Sequence, residues 1–105
     1  MMNKTYNKLV RDLIPQIIDG SGKKAKTMVL SDEEYLKHLD KKLSEELAEY
    51  YDGHSLEELA DLLEVIYASA KAQGCDETRL EEIRLAKKEN RGGFEEKILL
   101  IEVEG

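Results

Sequence analysis

The sequence predicts a mainly α-helical fold: a helical hairpin plus a third helix, with a small β element formed by N- and C-terminal segments. Three observations predict it. Ser31-Asp32-Glu33-Glu34 and Ser55-Leu56-Glu57-Glu58 both have the Ser-x-x-Glu form, in which the hydroxyl and the carboxylate each satisfy a free amide of the first helical turn. Both open segments whose apolar residues recur at helical spacing. Only Asp52-Gly53-His54 separates the two segments, so the helices must run antiparallel. The 105 residues fit a single domain over 1–105.

Taken in order, Asp12 is placed to cap a short helix through Leu13-Ile14-Pro15-Gln16-Ile17-Ile18, with Pro15 in the tolerant first turn. Asp19-Gly20-Ser21-Gly22-Lys23-Lys24 is a flexible joint. Lys26-Thr27-Met28-Val29-Leu30 reads as a short strand. The first long helix runs to about Tyr51 with Leu36, Leu39, Leu43, Leu47 and Tyr50 as its apolar stripe. The second runs to about Ala72, with Gly74 suited to the left-handed position after a helix. A third begins near Asp76, turns Leu80, Ile83 and Ala86 inward and stops at Arg91-Gly92-Gly93. The segment from Phe94 to Val103, centred on Ile98-Leu99-Leu100-Ile101, reads as a strand able to pair with the Met28 segment.

A net charge of -7 argues against general binding to nucleic acid or an anionic membrane, since both require a basic surface. It leaves phosphorylated small molecules open, because a divalent cation inverts the charge of an acidic pocket. The single cysteine, Cys75, has no partner within the chain for a disulfide and reads as a small half-buried residue. With no long apolar run and no signal-peptide pattern, the expectation is a cytoplasmic protein.

The chemistry concentrates at the hairpin turn. Glu46 and Glu49 close one helix, while Glu58 and Asp61 open the next. Each pair has the i, i+3 spacing that puts two carboxylates on one helix face. An antiparallel hairpin brings the four to one level, where they repel unless a cation lies among them. Hard oxygen donors select Mg²⁺, with Mn²⁺ as a possible substitute. The plainer reading is that Glu57, Glu58 and Asp61 favour a helix start, and that Glu45, Glu46 and Glu49 form a solvated face. Leu59, Leu62, Leu63, Ile66 and Ala70 form the core face of the second long helix; the opposite strip, His54, Glu58, Asp61, Val65, Ala68 and Ala72, passes from acids into small apolar residues. A helix covered on both sides encloses Asp61, and an enclosed carboxylate needs a partner.

The pattern Glu46-Leu-Ala-Glu49…Glu58-Leu-Ala-Asp61, with Glu45 before it, resembles the metal-binding signature of the MazG-like all-α NTP pyrophosphatase superfamily. Tyr6-Asn7-Lys8-Leu9-Val10-Arg11-Asp12-Leu13-Ile14-Pro15 and Lys87-Lys88-Glu89-Asn90-Arg91-Gly92-Gly93-Phe94 are similar to segments of its branch of predicted house-cleaning pyrophosphatases. The resemblance implies hydrolysis of a nucleoside triphosphate between the α and β phosphates. Glu46, Glu49, Glu58 and Asp61 then hold Mg²⁺, and Glu45 and Glu46 serve the attack of water. The connection from Tyr50 to Glu57 is shorter than in many relatives, leaving less room for a base-recognition loop.

Phosphates also need cations. Lys87, Lys88 and Arg91 precede Gly92-Gly93, and Arg11, with Lys8, is a second candidate. Favourable charges at a helix C-terminus and a surface ion pair explain the same residues without a ligand. Asn90 is a candidate for a base or sugar, or a helix cap. His54 reads as a turn residue and His38 as a surface one; Tyr35, Tyr50, Tyr51 and Tyr67 suit either base stacking or packing.

The leading reading is therefore a nucleotide pyrophosphohydrolase. Its rivals are phosphoribosyl-ATP pyrophosphohydrolase activity and a non-catalytic acidic helical metal-binding or partner module. The apolar surface of the second long helix exceeds what so short a chain can cover, so a homodimer or higher homo-oligomer is expected.

Overall fold

A computed structural model describes residues 3–105. Its helices are α1 (Ile14–Gly20), α2 (Asp32–Gly53), α3 (Leu56–Ala72) and α4 (Glu77–Arg91). The hydroxyl half of each capping box forms as the sequence predicts. The Glu34 amide donates to Ser31 Oγ at 3.2 Å, and the Glu58 amide donates to Ser55 Oγ at the same distance. Asp76 caps α4 by accepting from the Arg79 amide at 2.8 Å. Gly74 takes the left-handed conformation at φ +83° after α3, and the Cys75 amide reaches back to the Ala70 carbonyl at 2.9 Å.

Between α2 and α3 the turn is tighter than the sequence suggests. α2 continues through Gly53, and His54 alone turns left-handed at φ 52°, its amide held by the Tyr50 carbonyl at 2.7 Å. Tyr50 packs on the imidazole with ring centres 4.9 Å apart, which helps hold a conformation that a non-glycine residue rarely adopts. The start of α2 consequently lies beside the end of α3, where Tyr35 and Leu36 share a groove with Ala68, Lys71 and Ala72. α4 packs on α3 alone, more lightly, around Tyr67.

Three expectations require correction. Asp12 caps nothing: α1 starts after Leu13, with no side-chain cap, on a turn in which the Ile14 amide donates to the Arg11 carbonyl. The small β element does not form, and no strand occurs among the described residues. Met28 and Val29 on one side, and Ile98 to Ile101 on the other, have no regular structure and are 74% or more exposed. A lone two-stranded ribbon is marginal in water without a surface beneath it, and here neither segment has one.

The third correction concerns which stripe is inside. Leu39 of α2 and Val65 of α3 are the buried apolar residues of the described chain. Val65 belongs to the strip assigned opposite the core, whereas Leu59, Leu63 and Ile66 are 40%, 45% and 37% exposed. α4 likewise leaves Ile83 and Ala86 exposed, with only Leu80 half-buried. Both stripes of α3 are apolar enough to pack; α2 covers the one carrying the acids.

The Ser55 cap tests how far the hairpin depends on its turn. Ser55→Ala is expected to cost about 1 kcal/mol, or roughly 4–8 °C in Tm for a domain of this size, measured by thermal unfolding followed by circular dichroism.

Candidate functional site

The α2–α3 junction gathers the acids of both motifs. Glu46 is the buried charged residue of the described chain, with 7% of its surface exposed. Its Oε1 lies 3.4 Å from Lys42 Nζ, one turn earlier on α2, while Oε2 is buried without a hydrogen-bond partner. Glu58 Oε2 is buried and unpartnered in the same way. Two acids named by the sequence motif, one from each helix, thus carry an unsatisfied oxygen. Such atoms cost on the order of 1–3 kcal/mol each.

Glycine makes room for one of them. A Cβ on Gly53 would stand 2.6 Å from Glu58 Oε2 and 2.8 Å from Cδ, and closer still to Oε1. The carboxylate therefore rests on the bare backbone at the end of α2.

The remaining acids meet cations from the segment before α1. Arg11 Nη2 donates to Asp61 Oδ1 at 2.7 Å, and Lys8 Nζ donates to Glu45 Oε1 at 3.0 Å. Lys42 Nζ adds a second donor to Glu45 at 3.3 Å. Residues 3–12 have no helix or strand, yet Lys8 and Arg11 fasten this arm across the ends of both helices.

These contacts divide the carboxylates electrostatically. Burial works to raise the Glu45 carboxyl, but hydrogen bonds from Lys8 and Lys42 outweigh it and hold the group below the usual range. The bond to Glu45 and its charge push the Lys8 ammonium up. Glu46 moves the other way: burial first, then repulsion from Glu49, raise it against the pull of Lys42. A raised carboxyl weighs against the fold when ionised. That penalty is absent below the ordinary glutamate range and fully present above the raised value.

Among the described residues, no group of three or more His, Cys, Asp or Glu side chains is disposed to hold a metal ion. Asp61 faces Arg11 and Glu45 faces Lys8, so the four acids do not stand as a finished cage. The donor set nonetheless fits a hard divalent cation. It is all carboxylate, and the unpartnered oxygens of Glu46 and Glu58 are the atoms such an ion would satisfy. Glu49 is exposed beside Glu46.

Other predicted site residues lie elsewhere. Lys87, Lys88, Asn90 and Arg91 are exposed on the last turns of α4, and among the described residues no ion pair joins them to the acids. Tyr50 packs against Tyr51 and His54 at the turn, whereas Tyr35 and Tyr67 line grooves farther along the hairpin. Sequence reasoning assigned no part to Lys42, although its i, i+3 and i, i+4 spacing to Glu45 and Glu46 signals it. It likewise gave Gly53 only a turn, not the support of Glu58.

No family model matches the chain, and no solved structure matches it. Over 41 residues the chain is 54% identical to an uncharacterized protein of Mycolicibacterium smegmatis; the match takes in 39% of this chain and 42% of that protein. The chain therefore spans less than half the length of that relative.

Two substitutions separate the fold from the site. Glu46→Gln removes a charge the fold opposes, so Tm at pH 7 is expected to rise, and the gain should fade as the pH falls through the ordinary glutamate range. Gly53→Ala brings a better helix former, by about 0.8–1.0 kcal/mol, but forces the Glu58 carboxylate aside. Calorimetry should find stability within about 1 kcal/mol of the parent, while titration with Mn²⁺ should show weakened binding.

Proposed function

We propose that the chain is a Mg²⁺-dependent nucleotide pyrophosphohydrolase of the MazG-like kind, cleaving a nucleoside triphosphate to monophosphate and pyrophosphate in the house-cleaning of aberrant nucleotides in the cytoplasm. The observation that carries this reading is the pair of buried, unpartnered carboxylate oxygens on Glu46 and Glu58. A bound cation would supply the partner that these two oxygens lack in the fold. The resemblance of the acid pattern and the two flanking segments to that superfamily supports the same reading.

Glu46, Glu49, Glu58 and Asp61 would hold the ion. When bound, Mg²⁺ would neutralise phosphate charge and lower the pKa of an attacking water. Glu45, kept ionised by Lys8 and Lys42, would orient that water by accepting its hydrogen bond. Arg11, now on Asp61, has free guanidinium donors for a phosphate, and its exposed ion pair holds it only weakly, by about 0–1 kcal/mol. Lys87, Lys88 and Arg91 serve the distal phosphates only if α4 moves toward the acids, and Asn90 would then contact base or sugar.

A non-catalytic reading draws on a different observation. Arg11 and Lys8 already neutralise Asp61 and Glu45, as an acidic module that binds an ion without turnover would allow. Product analysis with Mg²⁺ decides between them, on a panel of standard and modified triphosphates that includes phosphoribosyl-ATP. Pyrophosphate and monophosphate are expected, abolished by EDTA. Asp61→Ala, at an exposed ion pair, should keep its helical signal and lose activity by about 100-fold or more. Release of orthophosphate would place cleavage at the wrong bond, and absence of turnover would favour the binding module.

A further inference from the structure

The arm before α1 is tied to the hairpin by charge. Lys8 reaches Glu45 on α2 at 3.0 Å and Arg11 reaches Asp61 on α3 at 2.7 Å, one cation to each helix. Among the described residues, the backbone of 3–13 makes no hydrogen bond to either helix. Tyr6, Val10 and Leu13 are exposed, which leaves Leu9 as the half-buried apolar side chain of this segment. A segment attached in this way comes free whenever its two acids find a better partner.

Those acids stand beside the oxygens a divalent cation would satisfy. Asp61 gives Oδ1 to Arg11 and Glu45 gives Oε1 to Lys8, while Glu46 Oε2 and Glu58 Oε2 are buried without any partner. Glu46 as a whole is more than nine-tenths buried. The arm brings two positive charges, as many as a divalent ion, yet it reaches neither inner oxygen. With Asp61 committed to Arg11, no three acids are gathered as a ligand set among the described residues.

Lys42 behaves differently. It is rooted on α2, and its side chain is 15% exposed, against 43% for Lys8 and 56% for Arg11. It contacts both Glu45 and Glu46, so Glu45 keeps a counter-ion when Lys8 leaves.

On the reading of these acids as a cation site, we propose that the Lys8–Arg11 arm is a strap closing the acid end of the hairpin, and that a divalent cation seated on the inner oxygens of Glu46 and Glu58 releases it by taking Asp61 from Arg11. Like charges repel at this range, so strap and ion compete even where Asp61 reaches both. Linkage makes the competition mutual: the ion loosens the strap by the factor by which the strap weakens the ion. Release frees the Arg11 guanidinium, so the ion comes before any phosphate that Arg11 contacts.

Trypsin reads the strap directly, because cleavage after Lys8 or Arg11 requires that side chain to leave its acid and enter the protease pocket. Lys23 and Lys24, exposed and without an ion pair among the described residues, are the internal standard. On the full chain, Mg²⁺ should speed cleavage after Lys8 and Arg11 relative to that standard by roughly three- to tenfold, the range open to two exposed ion pairs. The effect should exceed that of sodium chloride at equal ionic strength. Asp61→Asn should be cleaved rapidly after Arg11 without any ion. Mn²⁺, followed by electron paramagnetic resonance, should bind Lys8→Gln/Arg11→Gln more tightly than the parent by the same factor or more. Cleavage no faster in Mg²⁺ than in matched sodium chloride, Asp61→Asn cleaved no faster than the parent, or an unchanged Mn²⁺ affinity in the double variant would overturn the strap and leave the cation site standing. Absence of Mn²⁺ binding by the parent chain would overturn both.

Discussion

Everything at the acid end follows from one residue's backbone. His54, left-handed and held by the Tyr50 carbonyl and ring, reverses the chain in the least space available between two helices. A longer turn would specify the pairing of α3 with α2 less tightly. The tight reversal fixes the register instead. It leaves Gly53, without a side chain, directly beneath the Glu58 carboxylate, and it brings the negative charges of two helix ends to one level. Repulsion is the cost of that arrangement, and the fold meets it unevenly. Three cations of the chain pair with Asp61, Glu45 and one oxygen of Glu46, while the inner oxygens of Glu46 and Glu58 go without.

Local chemistry was readable at most helix ends. Ser31, Ser55 and Asp76 cap helices because a short polar side chain before an apolar periodic run satisfies a free amide there, and Gly74 turns left-handed because glycine tolerates that angle without strain; Asp12, in a similar setting, caps nothing. Choices between alternatives of similar local merit were not readable. α3 carries two apolar stripes, and nothing within it says which meets α2; the answer lies in where α2 puts Leu39 and Glu46. Ile98 to Ile101 has strand composition, but a strand also needs a neighbour, which the described residues do not supply.

The candidate site could be named from the acid spacing, but the contacts its residues make could not. The acid spacing named Glu46 and Glu58, whose buried oxygens then prove unpartnered. The same spacing could not show Asp61 turned to Arg11, because that contact joins residues 50 positions apart. The sequence allows Arg11 to serve as a phosphate ligand or as an ion-pair partner, and the fold pairs it with Asp61. Both uses draw on the same positive charge and the same absence of regular structure around it. Lys87, Lys88 and Arg91 sit where helix electrostatics favours them, which explains their position without reference to the acids.

The arm that carries Lys8 and Arg11 also has a bearing on how the molecule comes into being. The α2–α3 hairpin is closed by contacts near in sequence, the kind that form fastest. The arm's partners, Glu45 and Asp61, are 37 and 50 residues away, and each offers only an exposed ion pair in return for closing that loop. During synthesis the arm emerges first and waits for acids not yet made. It is therefore the last piece to dock and the first to detach, a seam of low stability laid over the acids.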